Sequence, residues 1–173
     1  MRAIIFSDSH GNIDLVKNAI VHYKSPEYRF GLGDYEVEPY ILECMGVTGV
    51  RGNSYFDPAW DYSFIYTIGK FKILLTHGHR YGVKDSLYTL SMYAQSKNVD
   101  IVFYGHTHEA RIDDDSHIYF INPGSVGMPF YPMYPTIAYM EINDDICNIK
   151  IVDAVDYSVY KEITINKNEW IRI

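Results

Sequence analysis

The chain has 173 residues, two cysteines and a formal charge of −7 at pH 7. That length buries a sizeable core without disulfides or structural zinc and predicts one domain over residues 1–173. The negative charge argues against a protein that grips nucleic acid through a general basic surface, and no apolar run approaches membrane-spanning length. Cys44 and Cys147 stand far apart with neither CxxC nor CxxH spacing, so no disulfide framework or zinc ribbon is expected and a reducing cytoplasm fits best.

Taken in order, residues 2–6 read as a buried strand, followed by a loop and a helix over 12–24 with Ile13, Val16 and Ile20 on one face and Asn12 or Ser9 as N-cap. A strand over 28–30 leads to Gly33-Asp34, a short helix spans 39–45 with Pro39 in its first turn, and 47–50 is a strand entering Arg51-Gly52-Asn53-Ser54. This β-α-β-α-β order predicts a parallel sheet covered by helices. From residue 62 the pattern becomes paired strands, 63–68 and 71–76, joined by Gly69-Lys70. A helix over 85–96 follows, capped by Asp85, and then a strand over 101–104. Residues 110–112 and 117–121 read as a hairpin whose tip, Asp113-Asp114-Asp115, is a solvated turn. The segments 136–141, 146–152 and 159–165 are strand-like, so a second, more antiparallel sheet is expected to end the chain. The seventeen tyrosines suit packing and subunit contacts, and the Tyr/Pro-rich stretch 128–135 suits an interface or a site rim, which points to a homo-oligomer, a dimer or tetramer.

The histidines are unevenly placed. Of seven, five (His10, His77, His79, His106 and His108) follow apolar strand-like runs, where a rigid element ends and a loop presents side chains. A lone His-x-His in a loop is ordinary, but here the strand exits together offer Asp8, His10, Asp34, Asn53, His77, His106 and His108. Imidazole and oxygen donors without thiolate suit manganese, iron(II), zinc or cobalt. Seven donors exceed one tetrahedral site and suit two ions about 3.5–4 Å apart with a bridging carboxylate, an arrangement used for phosphoester hydrolysis.

The ordered series Asp8-Ser9-His10, Gly33-Asp34, Gly52-Asn53, His77-Gly78-His79 and Gly105-His106-Thr107-His108 resembles the five blocks of the calcineurin-like metallophosphoesterases. Asn122-Pro123-Gly124-Ser125 with Pro129 resembles their small bacterial and archaeal phosphodiesterase branch, which also includes a scaffold relative, the retromer sorting subunit. The resemblance implies a four-layer α/β/β/α sandwich, two mixed sheets face to face with helices outside. It implies Asp8, His10 and His108 on a first metal, Asn53, His77 and His106 on a second, and Asp34 as the bridge. Catalytic roles then fall on Asp34, Asn53 and His106, substrate contacts on Asn122 and Ser125, and His79 stands behind the ligands without being one. Two divalent ions per chain are implied, manganese first, with zinc, iron(II), cobalt or nickel as alternatives. The implied reaction is in-line attack of a hydroxide bridging the metals on a small soluble phosphoester, with a non-catalytic scaffold as the competing reading. Two positions depart from the pattern: Ser54 stands where His or Cys is common, and Phe130 where arginine is frequent.

Overall fold

The computed structural model describes residues 1–115 and 117–169. A six-stranded sheet has the order β11-β10-β9-β1-β2-β3, and a five-stranded sheet has the order β4-β5-β6-β8-β7. The first sheet begins with β1 (Arg2–Phe6), β2 (Tyr28–Gly31) and β3 (Thr48–Gly49), which run parallel. The second is built from β4 (Ser63–Ile68), β5 (Phe71–Thr76), β6 (Ile101–Phe103), β7 (Ala110–Asp115) and β8 (Ile118–Pro123). Within it β5, β6 and β8 are parallel, and β4 and β7 close the edges antiparallel. The Gly69-Lys70 turn is as short as expected, with Ile68 opposite Phe71.

Side-chain alternation turns two sheets into four layers. Ala3 and Ile5 of β1 and Ile73 and Leu75 of β5 share the central core. Their neighbours face outward, Ile4 and Phe6 onto Val16 and Ala19 of α1 (Asp14–His22), and Leu74 onto Leu90 and Ala94 of α3 (Tyr88–Ser96). A short α2 (Pro39–Cys44) adds Leu42 to the outer layer beside α1. Neither cysteine forms a disulfide.

Four sequence expectations need correction. The last strands, β9 (Thr136–Asn143), β10 (Ile146–Asp153) and β11 (Val159–Asn166), do not make a separate sheet, because β9 pairs antiparallel with β1 and extends the first sheet. The acidic triplet is strand rather than turn: Asp113, Asp114 and Asp115 pair with Phe120, Tyr119 and Ile118. Asp113 is held by Arg111 and Asp115 accepts from Ser91 Oγ at 2.5 Å, so protein partners rather than solvent hold these two carboxylates. Helix α1 starts at Asp14 behind Ile13 with no side-chain cap, while the Asn12 amide donates to Val126 O. Helix α3 starts at Tyr88, whose N–H is taken by Ser86 Oγ rather than by Asp85.

This topology places the site. The parallel strands β1 and β2 of one sheet and β5 and β6 of the other release their C-terminal ends at one edge of the sandwich. The exits are laced together: Asp8 N donates to Gly33 O, Gly105 N to His77 O, and Val126 N to Ser7 O.

Candidate metal centre

Each strand exit delivers a donor, and the backbone there is bent to do so. Asp8, His10, Asp34, His106 and His108 all have positive φ, between 41° and 69°, a region that costs non-glycine residues energy and persists where surroundings over-determine it. Close approach is also needed. A Cβ on Gly52 would lie 2.1 Å from Asp34 Oδ1, and one on Gly105 would lie 1.9 Å from Ser7 Oγ. Only glycine lets these loops pack against the carboxylates.

The imidazoles are oriented by their far nitrogens. His77 Nδ1 donates to Leu32 O (2.7 Å), His108 Nδ1 to Met128 O (2.7 Å), and His10 Nδ1 to Glu36 Oε1 (2.9 Å). In the neutral rings Nε2 then carries a lone pair. These lone pairs face other acceptors: His108 Nε2 lies 3.1 Å from Asp8 Oδ1 and 3.5 Å from His10 Nε2, while His77 Nε2 lies 3.1 Å from Asn53 Oδ1 and 3.5 Å from Asp34 Oδ2. Two sets of donor atoms converge within 4.8 Å, Asp8-His10-His108 and Asp8-Asp34-His77. Asp8 Oδ1, fully buried, has no hydrogen-bond partner. Lone pairs this close repel unless something positive lies among them, so the donor set fits divalent cations.

Not every expected ligand joins these sets. His106 donates its backbone N–H to Asp8 Oδ2 (3.0 Å), but its ring belongs to neither and packs 5.0 Å from that of His77. Asp8 is shared by both sets and Asp34 contributes to one. His79 lies beside the rings of His77 and His106, edge-on to Tyr62. Asn122 and Ser125, expected at the substrate, are fully buried and make their hydrogen bonds within the protein. The Asn122 amide donates to Gly105 O and Thr107 Oγ1, and Ser125 Oγ donates to Asp8 O while accepting from Met128 N. Both brace the loops that carry Asp8 and the histidine pair.

Two further residues escaped the sequence reading. Glu36 orients His10 through the bond just described. Asp57, a buried carboxylate, accepts three backbone N–H bonds, from Asp34 (2.7 Å), Tyr35 (2.8 Å) and Gly52 (2.5 Å). It therefore clasps the loop carrying Asp34 to the loop carrying Asn53. Its only sequence signal is an Asp-Pro pair, which reads as a turn.

Residues 1–145 match the calcineurin-like phosphoesterase superfamily domain. The chain belongs to that superfamily. It is similar to "Probable metallophosphoesterase YsnB" of Bacillus subtilis, 29% identical over 154 residues, covering 88% of this chain and 91% of YsnB. Among solved structures, a predicted phosphoesterase from Streptococcus pneumoniae superimposes with a TM-score of 0.82 at 29% identity, covering 94% of this chain and 97% of that one. Vps29 from Entamoeba histolytica, in complex with Zn2+, superimposes with a TM-score of 0.76 at 25% identity, covering 97% and 100%.

The calcineurin-like site is electrostatically prepared for cations. Burial pushes Asp8 upward, but His108, His77 and Ser7 outweigh it and hold the carboxyl below the ordinary range. Asp34 is likewise pushed up by burial and drawn well down by His77 and the Ser54 N–H. Burial pulls His77 down, yet the Asp34 and Asp8 carboxylates more than offset it; the Asp8 carboxylate beside it raises His108. In the cation-free state, protons on these rings thus do part of what cations would do. His106 is lowered to about 4, chiefly by burial and then by the His77 and Lys84 charges. Burial raises Asp57, the three N–H donors oppose this, and the Asp34 charge adds to it.

Proposed function

We propose that residues 1–173 act as one domain, a dinuclear metal-dependent hydrolase of small phosphoesters, phosphodiesters above all, working in the cytoplasm. What supports this reading is the meeting of carboxylate, imidazole and amide lone pairs at one sandwich edge, with Asp8 Oδ1 buried and unpartnered. Asp8, His10 and His108 would hold one ion and Asn53, His77 and His106 the other, with Asp34 between them. Nitrogen and oxygen donors without thiolate put manganese first, with zinc, iron(II), cobalt or nickel able to substitute. Such ions would supply Lewis-acid stabilisation of phosphoryl charge and lower the pKa of a water. The chain's own residues do the rest. Asp8 and Asp34 stay ionised, the Nδ1–H bonds of His10, His77 and His108 keep each Nε2 aimed inward, His106 remains neutral at physiological pH, and Asn53 donates without adding charge. Metal analysis of loaded protein should find two ions per chain, and chelation should abolish turnover of a nitrophenyl phosphodiester. One ion or fewer, or full turnover after chelation, would overturn the dinuclear reading.

Ser54 governs the leaving group. Its backbone N–H holds Asp34 Oδ1 at 2.7 Å and its hydroxyl accepts from Phe56 N. A serine hydroxyl cannot deliver a proton at pH 7 as an imidazolium can, and general-acid help is worth about 10²- to 10⁴-fold where the leaving alkoxide is basic. Across substituted phenyl esters the rate should therefore fall steeply as leaving-group pKa rises, and Ser54→His should flatten the slope. A flat series for the native enzyme, with chemistry rate-limiting, would show that another group is the acid.

A second reading has one observation in its favour. Met128, Phe130, Tyr131 and Met133 are each more than half exposed, an apolar surface of the kind that is covered in an assembly. We take a second copy of the chain as its cover, giving a dimer or tetramer. A pure scaffold would keep this surface and show no metal-dependent turnover.

A further inference from the structure

Beyond His77 the candidate metal centre continues into a row of stacked side chains. The His79 ring centroid lies 5.3 Å from that of His77 and 5.5 Å from that of Tyr62. Tyr62 in turn carries two cations, with Arg80 Cζ 4.4 Å and Arg51 Cζ 5.2 Å from its ring centroid. The row is anchored at two strand exits. Arg51 stands two residues before Asn53, and Arg80 three after His77. Arg51 N donates to Asp61 O at 3.1 Å, and Thr76 Oγ1 donates to Tyr62 O at 3.0 Å.

The charge on this row is unbalanced. Among the described residues neither guanidinium makes a hydrogen bond, and no carboxylate oxygen comes within 4.0 Å of either. The carboxylates of the adjoining loops are placed elsewhere. Asp57 takes three backbone N–H groups, Asp34 faces His77 and the Ser54 N–H, and Asp61 lines a separate cavity with Glu43 and Trp60. Arg51 Nε is buried without a partner, as is His79 Nδ1, so the terminal nitrogens of Arg51 are the ones left open to solvent, beside the exposed Arg80. Two like charges over one ring repel, and attraction to the ring offsets only part of this. An anion between them would replace the repulsion with charge-assisted hydrogen bonds, and a guanidinium fork matches phosphate oxygens in pairs.

The geometry points to a second anion subsite, formed by Arg51 and Arg80 over Tyr62, that holds a further phosphate of the substrate while the metal centre takes the scissile one. The class of ester selected is one that carries two phosphates, either adjacent in a polyphosphate or separated by a carbon spacer. This rests on the phosphoesterase reading above for the place of the scissile group.

The test is calorimetric binding of matched, non-hydrolysable probes to the metal-loaded chain. Methylphosphonate against methylenebisphosphonate represents adjacent phosphates, and butylphosphonate against 1,4-butylenebisphosphonate represents spaced ones. In at least one pair the second phosphonate should tighten binding about tenfold or more, and the pair that gains identifies the spacing. Arg80→Gln, at an exposed position, should remove most of that gain while the single phosphonates bind as before. That loss separates the arginines from simple chelation of the metals by the second phosphonate, which the substitution would not weaken. Arg51→Gln should act in the same direction, and if it fails to fold, Arg80→Gln decides alone. No gain in either pair, or a gain that Arg80→Gln keeps in full, would overturn the subsite. Metal-dependent turnover of a nitrophenyl phosphodiester, which carries one phosphate, checks the hydrolase reading separately. If the native chain binds metal but hydrolyses nothing, that reading fails by itself, and the phosphonate comparison still decides the arginine pair.

Discussion

Asp34→Asn is expected to lose turnover by about a thousandfold or more while leaving the fold intact. The substitution is nearly isosteric, and the carboxamide oxygen can still accept the Ser54 N–H that now reaches Oδ1 at 2.7 Å. The other position is where the damage falls. Asp34 Oδ2 faces His77 Nε2 at 3.5 Å, and an NH2 group there would donate to the ring nitrogen and occupy the lone pair meant for a cation. One negative charge also disappears from a pair of carboxylates that would together balance half the charge of the two divalent ions proposed. Lewis-acid stabilisation of a phosphoryl transition state is worth several kcal/mol, and each 1.36 kcal/mol is tenfold in rate. Metal content should fall below two per chain, with a melting temperature close to that of the native protein. Two retained ions with more than a tenth of native turnover would remove Asp34 from the bridging position proposed for it.

The donors were legible because each follows an apolar run and lies within three residues of a glycine, so strand, loop and ligand type could be read at once. Which lone pairs face one another could not be read, since that depends on contacts such as His77 Nδ1 to Leu32 O, across the two sheets. The same limit applies to the fold. The pattern of 136–141 shows a strand, but its pairing with β1, residues 2–5 against 138–141, is a contact between the two ends of the sequence that alternation alone does not specify. Helix starts were misplaced by local rules, because Asn12 and Asp85 resemble caps while tertiary contacts decide where α1 and α3 begin. Asn122 and Ser125 were given substrate contacts by the family resemblance, and residue type alone does not show how deeply they lie. Burial turned their hydrogen bonds inward.

Asp57 was missed for the same reason, and it carries the largest stability effect we expect. Its two oxygens take the N–H groups of Asp34, Tyr35 and Gly52, while the residue is only 8% exposed. Asp57→Ala would leave three donors without a protein acceptor. A buried polar group stranded in this way costs about 1–3 kcal/mol, and with partial rescue by water we expect a loss on the order of 3–5 kcal/mol, a large part of the ~5–15 kcal/mol typical of a folded domain. The effect should reach the metals, because the clasp sets the distance between Asp34 and Asn53. Partners that orient ligands typically change metal affinity by about 10- to 100-fold. Asp57→Asn separates the two consequences: it retains one acceptor oxygen and most of the shape, so it should fold with a smaller stability loss yet still bind metal more weakly. Denaturant melts and metal titrations on both variants provide the measurement. Native metal affinity in Asp57→Asn would show that the clasp only holds the fold together, and an unchanged denaturation midpoint in Asp57→Ala would show that the three N–H groups find other acceptors at no cost.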